Sequence, residues 1–445
     1  MIKKITHWLI FLTLFTLPLQ TRWIIKEGVI NNGPWEYGTI SLYATSLLII
    51  LSLIFFIISQ KNLNLHFEFK KHHYVLLGFV LYCLVIIPFS LSPLLSLYKL
   101  GIIFLSISLF YILSNTDISF RHLSLAFVSG ATLNGLLGIW QFLSQSTFAS
   151  KWLGLAEHDA RTLGVSVIEA VAPDGVTERW LRAYGSLDHP NMFGGLMALA
   201  LIIASWLWLF RNDAKNKIEG LILIFSIAIL SAGTVLSFSR AAWLAATTGI
   251  VILIISYLYK TKKIRPDFIG WLATITIVIS LISFQYSYLF SPRLSGDTRL
   301  EQISTHERLD GLGSAKDLLL KKPFFGFGLG TYTLALEKNN PKKLSWFYQP
   351  VHNTFLLLAA ELGIFGLILV LSFFGTFFIH IYKDDSKDEN NPISEHRNLV
   401  LALILAVIII ALFDHWLFSL PFGIMLSGSI LGIMAASRKP SLLTE

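Results

Sequence analysis

Four polar stretches interrupt an otherwise apolar chain, and each carries side chains able to hold an anion or move a proton. The first is LRAYGSLDHPNMFGG, residues 181–195. Asp188, His189, Pro190 and Asn191 read as a helix start, with Asp188 as the cap and Pro190 in the first turn. Capping accounts for Asp188 and Pro190 but leaves Arg182 unexplained. A helix N-terminus favours anions, so Arg182 beside it would suit a phosphate. The second stretch is TVLSFSRAAWLA, residues 234–245, where Arg240 stands between two apolar runs with almost no loop to expose it. An arginine costs roughly 2.5–3.5 kcal/mol at the centre of a membrane helix and less near its edge. Two readings stand: a side chain snorkelling to the headgroups, or an anion ligand, for which the planar guanidinium fork is better suited than an ammonium.

The third stretch, residues 306–336, reads HERLDGLGSAKDLLLKKPFFGFGLGTYTLAL. It predicts an amphipathic helix from about Arg308 to Leu320 that stops before Pro323. GFGLG follows with no strand before it, so it is not a dinucleotide loop; its glycines are expected to shape a turn returning to the membrane. The fourth is QPVHNTFLLLAAELG, residues 349–363, in which His352 and Asn353 directly precede an apolar run that contains Glu361. A histidine there is either an interfacial anchor or a base, because its ring titrates near pH 6.5 and can take a proton from a hydroxyl. There is no HExxH, no DxD pair in an outer loop and only one cysteine, so no metal constellation emerges. Charge stabilisation then falls to the arginines. Asp384 and Asp385 read as a solvated linker, and His72 and His73 as part of a basic loop.

The elements that hold these groups are membrane helices. Of 445 residues 54% are hydrophobic and 14% charged, against about 25% charged in soluble domains. Apolar runs of spanning length recur throughout, which predicts an all-α polytopic membrane protein forming a single domain over residues 1–445. Twelve spans are expected, near residues 5–20, 39–59, 74–92, 95–114, 121–146, 190–210, 217–236, 240–258, 267–290, 354–380, 398–416 and 419–436. The third and fourth form a hairpin around SLSPLLS, and Asp414, His415 and Pro421 split the last two. MIKKITHWLIFLTLFTLPLQ resembles a signal peptide but lacks a small-x-small cleavage site, so it reads as a retained first span. Cys83, inside an apolar run, reads as a packing residue. The net charge of +8 reports orientation and contact with anionic lipid rather than nucleic acid.

Basic residues collect in KNLNLHFEFKKHH, RNDAKNK, YKTKKIR, YKDDSKDENNPISEHR and the tail SRKP. The opposite short loops hold only Arg22, Lys26, Lys99 and Arg240. This bias predicts cytoplasmic termini. It places two longer segments outside the cell, residues 147–189 and, between the ninth and tenth spans, the larger 291–353. Those two segments hold most of the polar clusters.

RAYGSLDHPNMFG, SFSRAAW, KDLLLKKPFFGFGLGTY and VHNTFLLLAAELGIFG, in that order over about residues 180–370, resemble the O-antigen ligase and polymerase superfamily of bacterial envelope glycosyltransferases. DHWLFSLPFGIMLSGSILG is similar to the closing hairpin of that family, whereas the first 150 residues match it only in hydropathy. The resemblance implies a metal-independent, inverting transferase without a cofactor, working at the outer face of the cytoplasmic membrane. Its donor would be a glycan on undecaprenyl diphosphate and its acceptor a hydroxyl of another glycan or glycolipid. Carried onto this chain, His352 would be the general base. Arg182, Arg240 and Arg308 would hold the donor diphosphate, with Asp188, His189, Asn191 and Asn353 in support. Two other functions share these features: a Wzy-type polymerase, which differs in its acceptor, and a lipid-linked oligosaccharide flippase or other transporter. Apolar span interiors, with polar groups gathered on one side, favour a transferase over a transporter.

Overall fold

The computed structural model describes residues 1–60, 70–172, 175–211, 217–383 and 393–438. In chain order the helices are α1 (Ile2–Thr16), α2 (Ala44–Gln60), α3 (Lys71–Ile86), α4 (Pro93–Asn115), α5 (Phe120–Ser144), α6 (Pro190–Leu209), α7 (Lys217–Leu236) and α8 (Arg240–Thr261). They continue as α9 (Pro266–Gln285), α10 (Ser287–Ser295), α11 (Arg299–Lys321), α12 (Tyr332–Asn339), α13 (Thr354–Lys383), α14 (Ile393–Phe413), α15 (Trp416–Ser419) and α16 (Pro421–Ala436). Apolar runs become helices because hydrocarbon offers no partner for backbone N–H and C=O groups. Among the described residues nine helices, α3 to α9 with α13 and α14, are long and apolar enough to cross a membrane, and α2 and α16 are shorter apolar helices. The chain is a helical multi-pass membrane protein. The expected first span coincides with α1, whose 15 residues are fewer than a straight crossing needs.

Helix α6 lies at the centre. Its apolar span is 94% buried, and it packs on α5, α7, α8 and α14. A helix apolar all round belongs in such a position. Gly194 and Gly195 begin its second turn. A Cβ at Gly195 would lie 2.5 Å from the Trp416 ring, and one at Gly194 would lie 2.4 Å from Ser237 Oγ. The glycine pair thus lets the α7–α8 turn and the start of α15 close over the end of α6, where the polar residues gather. Helix α9 is the opposite case, 17% buried, with its apolar side chains turned outward.

Several expectations need correction. Beside the helices, the described residues form three antiparallel two-stranded sheets that the all-helical reading does not anticipate: β1 (Arg22–Lys26) with β4 (Ile40–Tyr43), β2 (Val29–Ile30) with β3 (Gly33–Pro34), and β5 (Val167–Val171) with β6 (Thr177–Leu181). They lie outside the spans, where neighbouring strands satisfy the backbone. The helix expected from Arg308 starts earlier: α11 runs from Arg299, with acidic Glu301 in its first turn, which suits the positive end of a helix dipole. His72 is not in a solvated loop but 3% exposed on α3, with its ring edge-on to Phe377 and 5.0 Å from that of His380. Cys83 is buried among apolar side chains, as expected. Most of the basic stretches used for orientation, and Asp384 and Asp385, lie outside the described residues.

Helix α13 is broken. Gly363 has φ +68°, a conformation that favours glycine, and a Cβ there would lie 2.0 Å from Phe324 O. The preceding GFGLG loop repairs the interrupted ladder. Phe327 N–H donates to Ala360 O (3.0 Å), Gly328 N–H to Glu361 O (2.8 Å), and Ile364 N–H to Pro323 O (2.9 Å). The Tyr82 hydroxyl donates to Leu362 O. The glycines do shape a turn back to the bundle, and they also mend a membrane helix.

Candidate functional site

The site grows from three short connections at one end of the bundle. The segment before α6 is fixed by two amides on α5. Gln141 Oε1 accepts from Gly185 N–H at 2.7 Å, and Asn134 Oδ1 accepts from Ser186 N–H at 2.7 Å. This drives Arg182 inward, to 4% exposure. Its guanidinium donates to Ser237 O (2.7 Å), Ser166 Oγ (2.7 Å) and Asn191 Oδ1 (2.8 Å). The cap of α6 is His189 and not Asp188. The His189 backbone is extended, and its ring Nδ1 accepts from Asn191 N–H at 3.1 Å, so the imidazole does the work expected of the carboxylate. Asp188, exposed, precedes the cap by one residue.

The α7–α8 turn supplies the second part. Phe238 sits at φ +48°, and the turn aims two carbonyls at two arginines: Ser237 O at Arg182, and Phe238 O at Arg293 Nε (2.9 Å). Ser239 Oγ caps α8, which places Arg240 at its first residue. Arg240 Nη2 lies 3.3 Å from Glu301 Oε2, and its side chain is 41% exposed. Arg293 is buried and binds the other oxygen of Glu301. Arg308 stands farther along α11. A cavity of about 240 Å³ is lined by Asn191, Ser239, Arg240, Arg293, Arg308 and Phe413.

Burial pushes the guanidiniums of Arg182, Arg293 and Arg308 below their ordinary range, and repulsion from neighbouring arginines adds to it. Arg308 Nε is buried without a partner among the described residues. Four clustered arginines face two carboxylates, Glu301 and Asp414. Buried charge left uncompensated is unfavourable, so the cavity suits an anion with several acceptor oxygens.

The third connection joins α14 to α15 beside the start of α13. Asp414 is 4% exposed. Its carboxylate accepts from Asn191 Nδ2 (2.8 Å) and from His415 N–H (2.8 Å), while Asp414 O accepts from Thr354 Oγ1 (2.8 Å). Asn353 Oδ1 accepts from Leu356 N–H at 3.0 Å, and its Nδ2 donates to Leu412 O at 3.1 Å, which ties α13 to the end of α14. The half-buried His352 ring stands 5.1 Å from that of His415. Burial pushes His415 down to about 4, with Asp414 opposing. Burial likewise holds His352 below its ordinary value, again against Asp414. For Asp414, burial alone would raise the carboxyl, but the charges of His415, His352 and His189 and the Asn191 hydrogen bond outweigh it, and the net shift is downward. His352 is therefore neutral near pH 7, and a neutral imidazole accepts a proton.

The structure brings Arg182, Asn191, Arg240, Arg308 and His352 into one neighbourhood, linked by Arg182–Asn191–Asp414. Sequence reading missed Arg293, Glu301 and the roles of Asp414 and His415. An aspartate at the end of an apolar run was the available signal, since charge there is costly. It missed, too, that one ligand atom from each of His352, Asp414 and His415 lies within 4.8 Å of the others, a spacing that could hold a metal ion. No sequence motif announces this cluster, because His352 lies far along the chain from the other two.

No curated protein matches the chain. The family model described as O-antigen ligase matches residues 225–371, a stretch that holds Arg240, Arg293, Glu301, Arg308 and His352, whereas Arg182, Asn191, Asp414 and His415 fall outside it. Over residues 225–371 the chain is thus similar to the family described as O-antigen ligase.

Proposed function

We propose that this chain transfers a glycan from an undecaprenyl-diphosphate donor to a hydroxyl of another glycan or glycolipid, with inversion, at the outer face of the cytoplasmic membrane. One observation carries the reading: an arginine-lined cavity shares Asn191 with the cluster of Asp414, His415 and His352. His352 takes the acceptor proton, the acceptor oxygen bonds to the anomeric carbon, and the bond from that carbon to the diphosphate oxygen breaks. The electron pair leaves on the diphosphate, and Arg240, Arg293 and Arg308 offset its charge in a site of low dielectric. Arg182, committed to protein acceptors, orients Asn191 and adds its field. Both termini are then cytoplasmic, and a polyprenyl tail stays in lipid while its headgroup meets the helix ends.

Arg240 is the most accessible of the cations, so its removal tests donor binding most directly. Arg240→Ala is expected to raise the donor KM about ten- to a hundredfold, the loss of one or more charge-assisted hydrogen bonds. Steady-state kinetics at saturating acceptor would show it, and an unchanged donor KM would make Arg240 a headgroup anchor. The pH profile tests the base. Activity needs neutral His352, so kcat/KM rises with pH through the pKa of that ring, which burial places below 6.5. The acid limb is expected to have its midpoint below 6.5. Asp414 favours the protonated ring, so Asp414→Asn should shift the limb to still lower pH and weaken the base. A limb that moves to higher pH contradicts this.

The spacing of His352, Asp414 and His415 favours a second reading, in which a divalent cation activates the acceptor. Against it, both Asp414 oxygens already accept hydrogen bonds, and His415 Nδ1 is bonded to Ser419 Oγ at 2.7 Å. Full transfer in excess EDTA supports the metal-free mechanism, and loss restored by zinc supports the cation. A Wzy-type polymerase would use the same donor site, and product length separates it from a ligase.

A further inference from the structure

A second cavity, of about 40 Å³, is lined in part by Ser419, Leu420 and Pro421, which follow His415 in the chain, with room for on the order of three water-sized groups. The segment 413–421 connects the two: Phe413 lines the arginine cavity, while Ser419 and Pro421 line this one. Tyr37 also lines it and sets its ring edge-on to His415, centroids 6.0 Å apart. Pro350, two residues before His352, forms another part of the wall.

The polar groups in this cavity have no part in the mechanism above. Lys99 is 7% exposed and donates one N–H to Ser419 O at 2.7 Å; its ammonium has three. Glu361 is 4% exposed and accepts from Gly330 N–H at 2.6 Å and, more weakly, from Tyr332 N–H at 3.4 Å. The Tyr332 side chain is 1% exposed, and its hydroxyl is buried with no partner among the described residues. Buried hydroxyls are normally bonded, so this one points to a ligand. An anion here would meet Glu361 and a cation would meet Lys99. A neutral hydroxyl satisfies both, accepting from Lys99 or Tyr332 and donating to Glu361.

We propose that this cavity is a subsite for the acceptor sugar, holding a hydroxyl or hydroxymethyl group next to the one that reacts, so that Lys99, Glu361 and Tyr332 choose the acceptor while His352 faces the reacting hydroxyl. The proposal rests on the transferase reading and extends it by placing donor and acceptor in the two cavities that segment 413–421 connects.

The test uses the purified full chain in detergent. Lipid-linked glycan and total surface glycolipid, both extracted from host cells deleted for this gene, serve as substrates. Tyr332→Phe is expected to raise the glycolipid KM about five- to tenfold, one lost hydrogen bond, with the donor KM within twofold. Its melting temperature should be unchanged or higher, because the deleted hydroxyl has no partner among the described residues. Glu361→Gln should raise the same acceptor KM. An active wild type whose variants keep the wild-type acceptor KM overturns the subsite, as does equal loss of donor and acceptor affinity. A wild type that transfers nothing between these substrates overturns the transferase reading instead.

Discussion

His352→Ala is expected to lower glycan transfer by about 10²–10⁴-fold, the range that a positioned general base contributes, and to leave the protein inserted and folded. The start of α13 does not depend on the imidazole: Asn353 caps it and ties it to Leu412, and Thr354 ties it to Asp414. Donor affinity should therefore persist, because the arginine cavity is lined by other elements. The measurement is single-turnover transfer from a synthetic polyprenyl-diphosphate glycan in excess EDTA, with donor binding followed separately. Added imidazole should restore part of the lost rate by supplying a small base to the vacated space. Full activity in the alanine variant would remove the base assignment, and loss of donor binding in step with rate would make His352 a structural residue.

Arg182→Ala should act through stability first. Its guanidinium satisfies three acceptors, Ser237 O, Ser166 Oγ and Asn191 Oδ1, and each one left buried and unpaired costs roughly 1–3 kcal/mol. Relief of repulsion with Arg293 offsets a part of this, so a net loss of about 2–5 kcal/mol follows from the same principle. Arg182→Lys should rescue little, since an ammonium lacks the planar fork that reaches three divergent acceptors. Thermal unfolding in detergent reads the loss directly. If Arg182→Ala keeps its melting temperature and loses only donor binding, the guanidinium touches phosphate itself. Arg240→Ala is the contrasting case, with donor binding weakened and unfolding little changed, because its side chain stands at the rim.

The membrane helices were legible because hydrocarbon imposes one rule on every backbone group, and runs such as those of α6 and α13 state it openly. The elements outside the bilayer obey weaker rules. The early start of α11 and the β5–β6 hairpin depend on packing over the helix ends, which local pattern does not record. Within the site, Arg182, Arg240 and His352 stood out because polar groups at apolar boundaries are costly. Arg293 and Glu301 did not, lying in a long polar segment where charges are ordinary. That His189 and not Asp188 caps α6 follows from where the helix starts, which residue preference alone does not fix to the residue. The link from Asn191 to Asp414 spans half the chain, and only the folded arrangement reveals it.

The break at Gly363 has a consequence for how the chain is made. A helix entering lipid with its hydrogen-bond ladder interrupted exposes carbonyls that cost several kcal/mol each. The groups that mend it come from Pro323, Phe327 and Gly328, and from Tyr82 far upstream. All are synthesised before α13. Order of birth on the ribosome thus matches order of need: the patch is waiting when the damaged helix arrives, and the helix settles in the bilayer by docking onto chain already delivered.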